Sequence, residues 1–79
     1  MGKISKKEVD EAMSQLRRQG LSKQDTTDVR NALSGHGDQY GVTKKELEDT
    51  MKQLDKHPGH LSKEQREKAR KELGEDLKD

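Results

Sequence analysis

Apolar residues in this chain fall in four short stripes separated by polar runs. Val9, Ala12, Met13 and Leu16 stand at i, i+3, i+4 and i+7. Val29, Ala32 and Leu33 repeat part of that spacing, as do Leu47, Met51 and Leu54, and then Ala69, Leu73 and Leu77. A stripe of this period covers one face of an α-helix, because 3.6 residues complete a turn. Just upstream of each stripe stands a hydroxyl residue: Ser5, Ser22, Thr43 or Ser62. Three residues further on come Glu8, Asp25, Glu46 and Gln65. A hydroxyl at the N-cap accepts from the N3 amide, and an acid or amide side chain at N3 returns a bond to the N-cap amide. Asp25, one methylene shorter than Glu, predicts a weaker version. Gly20, Gly35, the Pro58-Gly59 pair and Gly74 supply stop signals. The pattern predicts helices at 5–18, 22–34, 43–56 and 62–73. It predicts no strand, and a frayed tail from Glu75 to Asp79.

The four starts are also copies of one another. Each reads apolar, hydroxyl, Lys, beginning at Ile4, Leu21, Val42 and Leu61, and twelve residues after each apolar position comes Leu16, Leu33, Leu54 or Leu73. Segments 4–16 and 42–54 align without a gap at an offset of 38 residues. Ile4 and Val42 precede the caps and can staple onto Val9 and Leu47, whereas the second and fourth copies offer Thr26 and Arg66 there. The expectation is an all-α single domain over 1–79. Helical hairpin 4–34 and the similar hairpin 42–74 are joined by a Gly-rich loop, 35–41.

Composition narrows the function classes. Of 79 residues, 24% are hydrophobic and 42% charged, and Tyr40 is the single aromatic. Seventeen basic against sixteen acidic residues leave a net charge of +1, with no basic or acidic tail to attract a polyanion. The absence of Cys excludes disulfides, thiolate metal sites and thiol redox chemistry. No apolar run reaches the roughly 18 residues of a membrane span, and no signal-peptide core is present. Lys6 occupies the Ser/Thr position of the myristoylation pattern. The cytoplasm is therefore the default compartment. So few large side chains leave little material for a deep catalytic cleft, so no catalytic residue is assigned and a non-enzymatic role is expected.

Candidate chemistry concentrates in the middle loop. From Leu33 to Leu47 the chain runs through Gly35, Gly37 and Gly41 into Val42-Thr43-Lys44-Lys45-Glu46. This stretch resembles an EF-hand, with Val42, Thr43 and Glu46 matching positions eight, nine and twelve of the calcium loop. The segment after Glu46 resembles that family's exiting helix, Ile4 to Leu16 another, and the stretch from Leu61 an entering one. The resemblance implies one whole motif over about 22–54 between two half-motifs. It also implies a calcium site drawing on Ser34, Asp38, Tyr40 and Glu46. Departures are plain: the loop is one residue long if Ser34 comes first, Ser34 and His36 stand where carboxylates are usual, and no second loop is present to pair with it. Calcium takes six to eight oxygens, and Asp38 and Glu46 bring the only two carboxylates. Glu46 also has a metal-free explanation as the N3 member of its capping box, the role Glu8 plays with no loop before it.

Other motifs are thinner. His57 and His60 flank the Pro58-Gly59 turn and His36 adds a third imidazole, without carboxylate or Cys at ligand spacing. Neither a nucleophile elbow nor a phosphate loop is present. The first two helices with Gly20 between them have the length of a helix-turn-helix, with 29–34 as recognition helix. Asp25 and Asp28 offset Lys23 and Arg30 there, and Leu16 replaces the small residue that pattern expects.

The reading that follows is four short helices as two similar hairpins, arranged EF-hand-like or as a small orthogonal bundle. Its expected role is a non-enzymatic protein-interaction or regulatory module whose partner is another protein or a second copy. The apolar seam would supply contacts through Tyr40, Met13 and Met51. An EF-hand-like calcium-responsive switch and a helix-turn-helix DNA binder are the alternatives. Nucleic acid and membrane are not the expected partners.

Overall fold

The computed structural model describes residues 2–37, 41–75 and 77. Each hydroxyl residue picked out by the pattern starts a helix. Ser5 precedes α1 (Lys6–Arg18), Ser22 precedes α2 (Lys23–Ser34), Thr43 precedes α3 (Lys44–Lys56), and Ser62 precedes α4 (Lys63–Glu75). All four capping boxes are closed in both directions. Glu8 N donates to Ser5 Oγ at 3.2 Å and Ser5 N to Glu8 Oε1 at 2.9 Å. The corresponding pairs at Thr43–Glu46 and Ser62–Gln65 lie between 2.8 and 3.1 Å. The Asp25 box closes as fully as the rest, both of its bonds measuring 3.1 Å.

The helix ends follow their own chemistry. At the end of α1 the Leu21 amide donates to Leu16 O and the Gly20 amide to Arg17 O, with Gly20 at φ +108°. This is the Schellman arrangement, and it places Leu21 against Leu16, both buried. Pro58 halts α3, since the residue before a proline is driven out of the helical region, and His57 sits at φ −133°, ψ 71°. At the fourth helix the sequence expectation fails. Gly74 lies inside α4 rather than ending it; of the tail expected to fray, Glu75 is helical and Leu77 lies half-buried against the core, while residues 76, 78 and 79 lie outside the described residues. Burial of one leucine outweighs the weak stop signal of a glycine that never takes a positive φ.

The expectation of no strand also needs correction. β1 (Lys3–Ile4) and β2 (Val42–Thr43) form an antiparallel ladder, pairing Lys3 with Thr43 and Ile4 with Val42. Two-residue strands are too short to show an alternating pattern, so nothing in the sequence period reports them. They include the two staple positions, Ile4 and Val42, and join the starts of α1 and α3. Gly41 makes the approach feasible. It adopts φ +122°, and a Cβ there would run into the Ile4 carbonyl oxygen.

With the ladder in place, α1 packs on α2 and α4, and α3 packs on the same two helices, which closes a ring of four. The pattern of helix contacts is thus the same when α1 and α2 are exchanged for α3 and α4. The other two helix starts are also joined: Gln65 Nε2 donates to Asp25 Oδ2 at 3.2 Å, linking the caps of α2 and α4. Among the described residues, fifteen apolar side chains form one core, with Ile4, Leu16, Val29, Ala69 and Leu73 completely buried. Ala32 and Leu77 lie half-buried against it. The radius of gyration, 11.1 Å, is close to the ~11.6 Å of a packed chain this long. Thr50 is buried as well, its hydroxyl donating to Glu46 O at 2.7 Å.

Polar contacts replace apolar staples where the sequence lacks them. Arg66 Nη1 donates to the Leu61 carbonyl at 3.0 Å, tying the residue ahead of the cap to the fourth helical position. Arg66 and Arg70 also fork onto the two oxygens of Asp55 at 3.0 and 3.1 Å, clamping α3 to α4. Glu64 and Lys68, one turn apart on α4, pair at 3.4 Å.

A groove between the first two helices

Two of the four candidate metal ligands, Glu46 and Ser34, are committed elsewhere. Glu46 Oε1 accepts from the Thr43 amide at 2.8 Å, and Glu46 N donates to the Thr43 hydroxyl. Glu8 holds the same pose on Ser5, with no loop before it. Ser34 Oγ is exposed and donates to the Asn31 carbonyl at 3.0 Å, one turn back in its own helix. Asp38 and Tyr40 lie outside the described residues. Among the described residues, no three His, Cys, Asp or Glu side chains gather where a metal ion could be held. His57 and His60 are exposed around their turn, and His36 is half-buried beyond α2.

The residues expected to meet a partner are placed differently from the expectation. Met13 and Met51 are 2% and 1% exposed, inside the core. The stripes that carry Met13 and Met51 are used up in packing on one another, so among the described residues those two methionines offer no surface to a partner. Tyr40 is again beyond the described residues. For the helix-turn-helix reading, Val29 and Leu33 of α2 are buried, and Arg30 is held by Asp10. No helix among the described residues is long and apolar enough to cross a membrane.

What the ring does create is a groove of about 620 Å³ where the start of α1 faces the end of α2. Ile4, Val9, Leu33 and Val42 line it with apolar groups, and Gly37 and Gly41 also border it. Lys6 and Asp10 border it from α1; Arg30, Asn31 and Ser34 border it from α2. Arg30 Nη2 meets Asp10 Oδ1 at 3.0 Å across the rim, with both side chains about half exposed, at 49% and 67%. At that exposure the pair adds little to stability. It leaves the guanidinium with further donors, since Arg carries five N–H groups. Gly37 has no room for a side chain: a Cβ would stand 2.8 Å from the Gly41 carbonyl oxygen and from Val42 Cγ2.

The sequence reading missed Lys6, Asp10 and Arg30 as a group. They sit on two helices, and only the packing of those helices brings them together. The available signal was the pair of glycines, Gly37 and Gly41, in a loop where one stop residue would suffice. Comparison with known family models, curated proteins and solved structures finds no match to this chain.

Proposed function

We propose that this chain is a non-enzymatic protein-interaction module that binds a partner segment in the groove between α1 and α2. One observation carries the reading. The groove joins an apolar floor (Ile4, Val9, Leu33, Val42) to a rim of charged and amide side chains that fix orientation. Binding sites commonly combine a concave apolar surface with a few directed polar groups, and volumes of ~300–1,000 Å³ are usual. The scaffold is read as EF-hand-like. In support, the ladder joins Ile4 to Val42, the two residues that stand first in the matching repeats, and so gives the middle loop the strand partner it otherwise lacks.

The test is selection of displayed peptides against the immobilised full chain, followed by amide chemical-shift mapping of each selected peptide on labelled protein. Selected peptides are expected to move Val9, Arg30, Leu33 and Val42 together. Peptides that bind only at other faces, or a selection that enriches nothing, would end the reading.

A further inference from the structure

At the opposite end of the same helix pair, the end of α1 and the start of α2 border a second hollow, of about 430 Å³. Ser14, Arg17, Arg18, Leu21, Ser22 and Lys23 line it, and none of these lines the groove. Leu21 is buried, and the other five side chains are exposed. Three of the five are cations, and no carboxylate is among the lining residues. Among the described residues, Arg17, Arg18 and Lys23 form no ion pair and no side-chain hydrogen bond, whereas Arg30, Arg66, Lys68 and Arg70 are all paired. The acids next along the chain or across from it are engaged. Asp25 takes the Ser22 amide and Gln65, and Glu72 takes the Gln19 amide group. The matching joint of the second half supplies its own anion. At the offset of 38 residues that aligns 4–16 with 42–54, Arg17 corresponds to Asp55, and Asp55 holds Arg66 and Arg70 on its two oxygens at 3.0 and 3.1 Å. One carboxylate sits between guanidiniums at the end of α3; the end of α1 presents cations alone.

We propose that this hollow binds the phosphate of a phosphorylated serine or threonine on a partner protein, through Arg17, Arg18 and Lys23. The site is separate from the groove, so its success or failure leaves that reading untouched. Charge sets the occupant. A phosphoserine carries about two negative charges at neutral pH and three strong acceptor oxygens. Two guanidiniums present planar forks to such oxygens and a lysine adds a point charge, a combination that phosphate uses more fully than a carboxylate does. Two hydroxyls stand beside them. Ser22 Oγ accepts from the Asp25 amide at 3.1 Å and keeps its own proton to donate, and Ser14 adds a second donor. The helix-start amides are not required, since the capping box already engages them. A nucleic-acid backbone fits less well, because it asks for a basic stripe that follows successive phosphates. Here the patch stops at Glu11, exposed one turn before Ser14 on the same face of α1, and the whole chain carries only +1.

The probe is a library of capped peptides centred on a phosphoserine, with the flanking positions varied, screened against the full-length chain. The best binders are titrated into labelled protein and followed by backbone amide shifts. Saturable movement of Ser14, Arg17, Arg18, Leu21, Ser22 and Lys23 below about 1 mM is expected, the range of a short single-anchor peptide. Removing the phosphate should weaken binding at least about tenfold, the scale of one lost charge-assisted contact. Arg17→Gln, Arg18→Gln and Lys23→Gln should each do the same while leaving the thermal midpoint near its starting value, because all three side chains are exposed. Inorganic phosphate and a short DNA duplex are titrated alongside. Inorganic phosphate is expected to move the same amides at least about tenfold more weakly, since it lacks the flanking residues. The proposal is overturned if no library member saturates these amides, or if the unphosphorylated peptides bind equally well. It is overturned in favour of a free anion if inorganic phosphate matches the best peptide, and in favour of nucleic acid if the duplex binds these amides more tightly than any peptide.

Discussion

Replacing Gly41 with Ala tests whether the short ladder is structural or incidental. Gly41 adopts φ +122° directly beside Ile4. A non-glycine residue in such a conformation costs ~1–3 kcal/mol by itself. Gly20 supplies the control: it adopts φ +108°, but an added Cβ meets nothing within 4 Å. Gly20→Ala should therefore register the backbone cost alone, about 1–2 kcal/mol. Gly41→Ala carries the same cost plus a collision with the Ile4 carbonyl, relieved only by opening the ladder. Opening it withdraws Ile4, fully buried, from the core, and losing much of one buried aliphatic side chain costs ~2–4 kcal/mol more. The expected gap between the two variants is at least about 2 kcal/mol. In a domain of this size that is a difference of roughly 8–16 °C in thermal midpoint. Urea unfolding monitored by far-ultraviolet circular dichroism reads the gap directly, with thermal melts as a second measure. Equal destabilisation of the two variants would refute the reasoning, because it would mean that Ile4 retains its burial without the ladder.

Three further outcomes are expected. Met13→Ala and Met51→Ala should each destabilise by about 2–5 kcal/mol in the same unfolding assay, as core truncations do, since both side chains are essentially fully buried. A double-mutant cycle on Asp25→Ala and Gln65→Ala should return a coupling of about 0.5–1.5 kcal/mol, the net worth of a typical hydrogen bond, and a zero coupling would remove the link between the α2 and α4 caps. Calcium should leave the amide spectrum unmoved below about 1 mM, because Glu46 is engaged by Thr43; saturable shifts of Gly41 to Glu46 at micromolar calcium, lost in Glu46→Gln, would show instead that the carboxylate leaves its cap for a cation.

The local grammar of this chain was legible before any coordinates. Ser5, Ser22, Thr43 and Ser62 each start a helix because the capping pattern is complete within four residues, so no tertiary information is needed. The all-α class with four helices followed from those starts and the apolar period. What escaped was whatever depends on residues far apart in the chain. The pairing of Ile4 with Val42 spans the repeat offset, and a two-residue strand has no period to detect. Gly74 carried a stop signal that the burial of Leu77 overrides. The groove was illegible for the same reason: Lys6, Asp10 and Arg30 are each ordinary surface residues on their own helices. Met13 and Met51 stand on stripes whose partners only the ring supplies, and the ring buries both.

The ring has a consequence for the order in which the chain folds. The first hairpin holds one strand of the ladder and the second holds the other, and α1 finds α4, the most distant helix in sequence, as a packing neighbour. Closing such long loops costs entropy before any contact repays it, so these pairings are expected to form late and to set the rate. A fragment covering 1–37 has its caps but neither the strand that pairs with Ile4 nor the Asp25–Gln65 link. Such a fragment made alone should stay largely unfolded, and adding the 41–79 fragment should restore helicity to both. Half of this protein is then a ligand for the other half, and a nick in the connecting loop should cost it affinity rather than architecture.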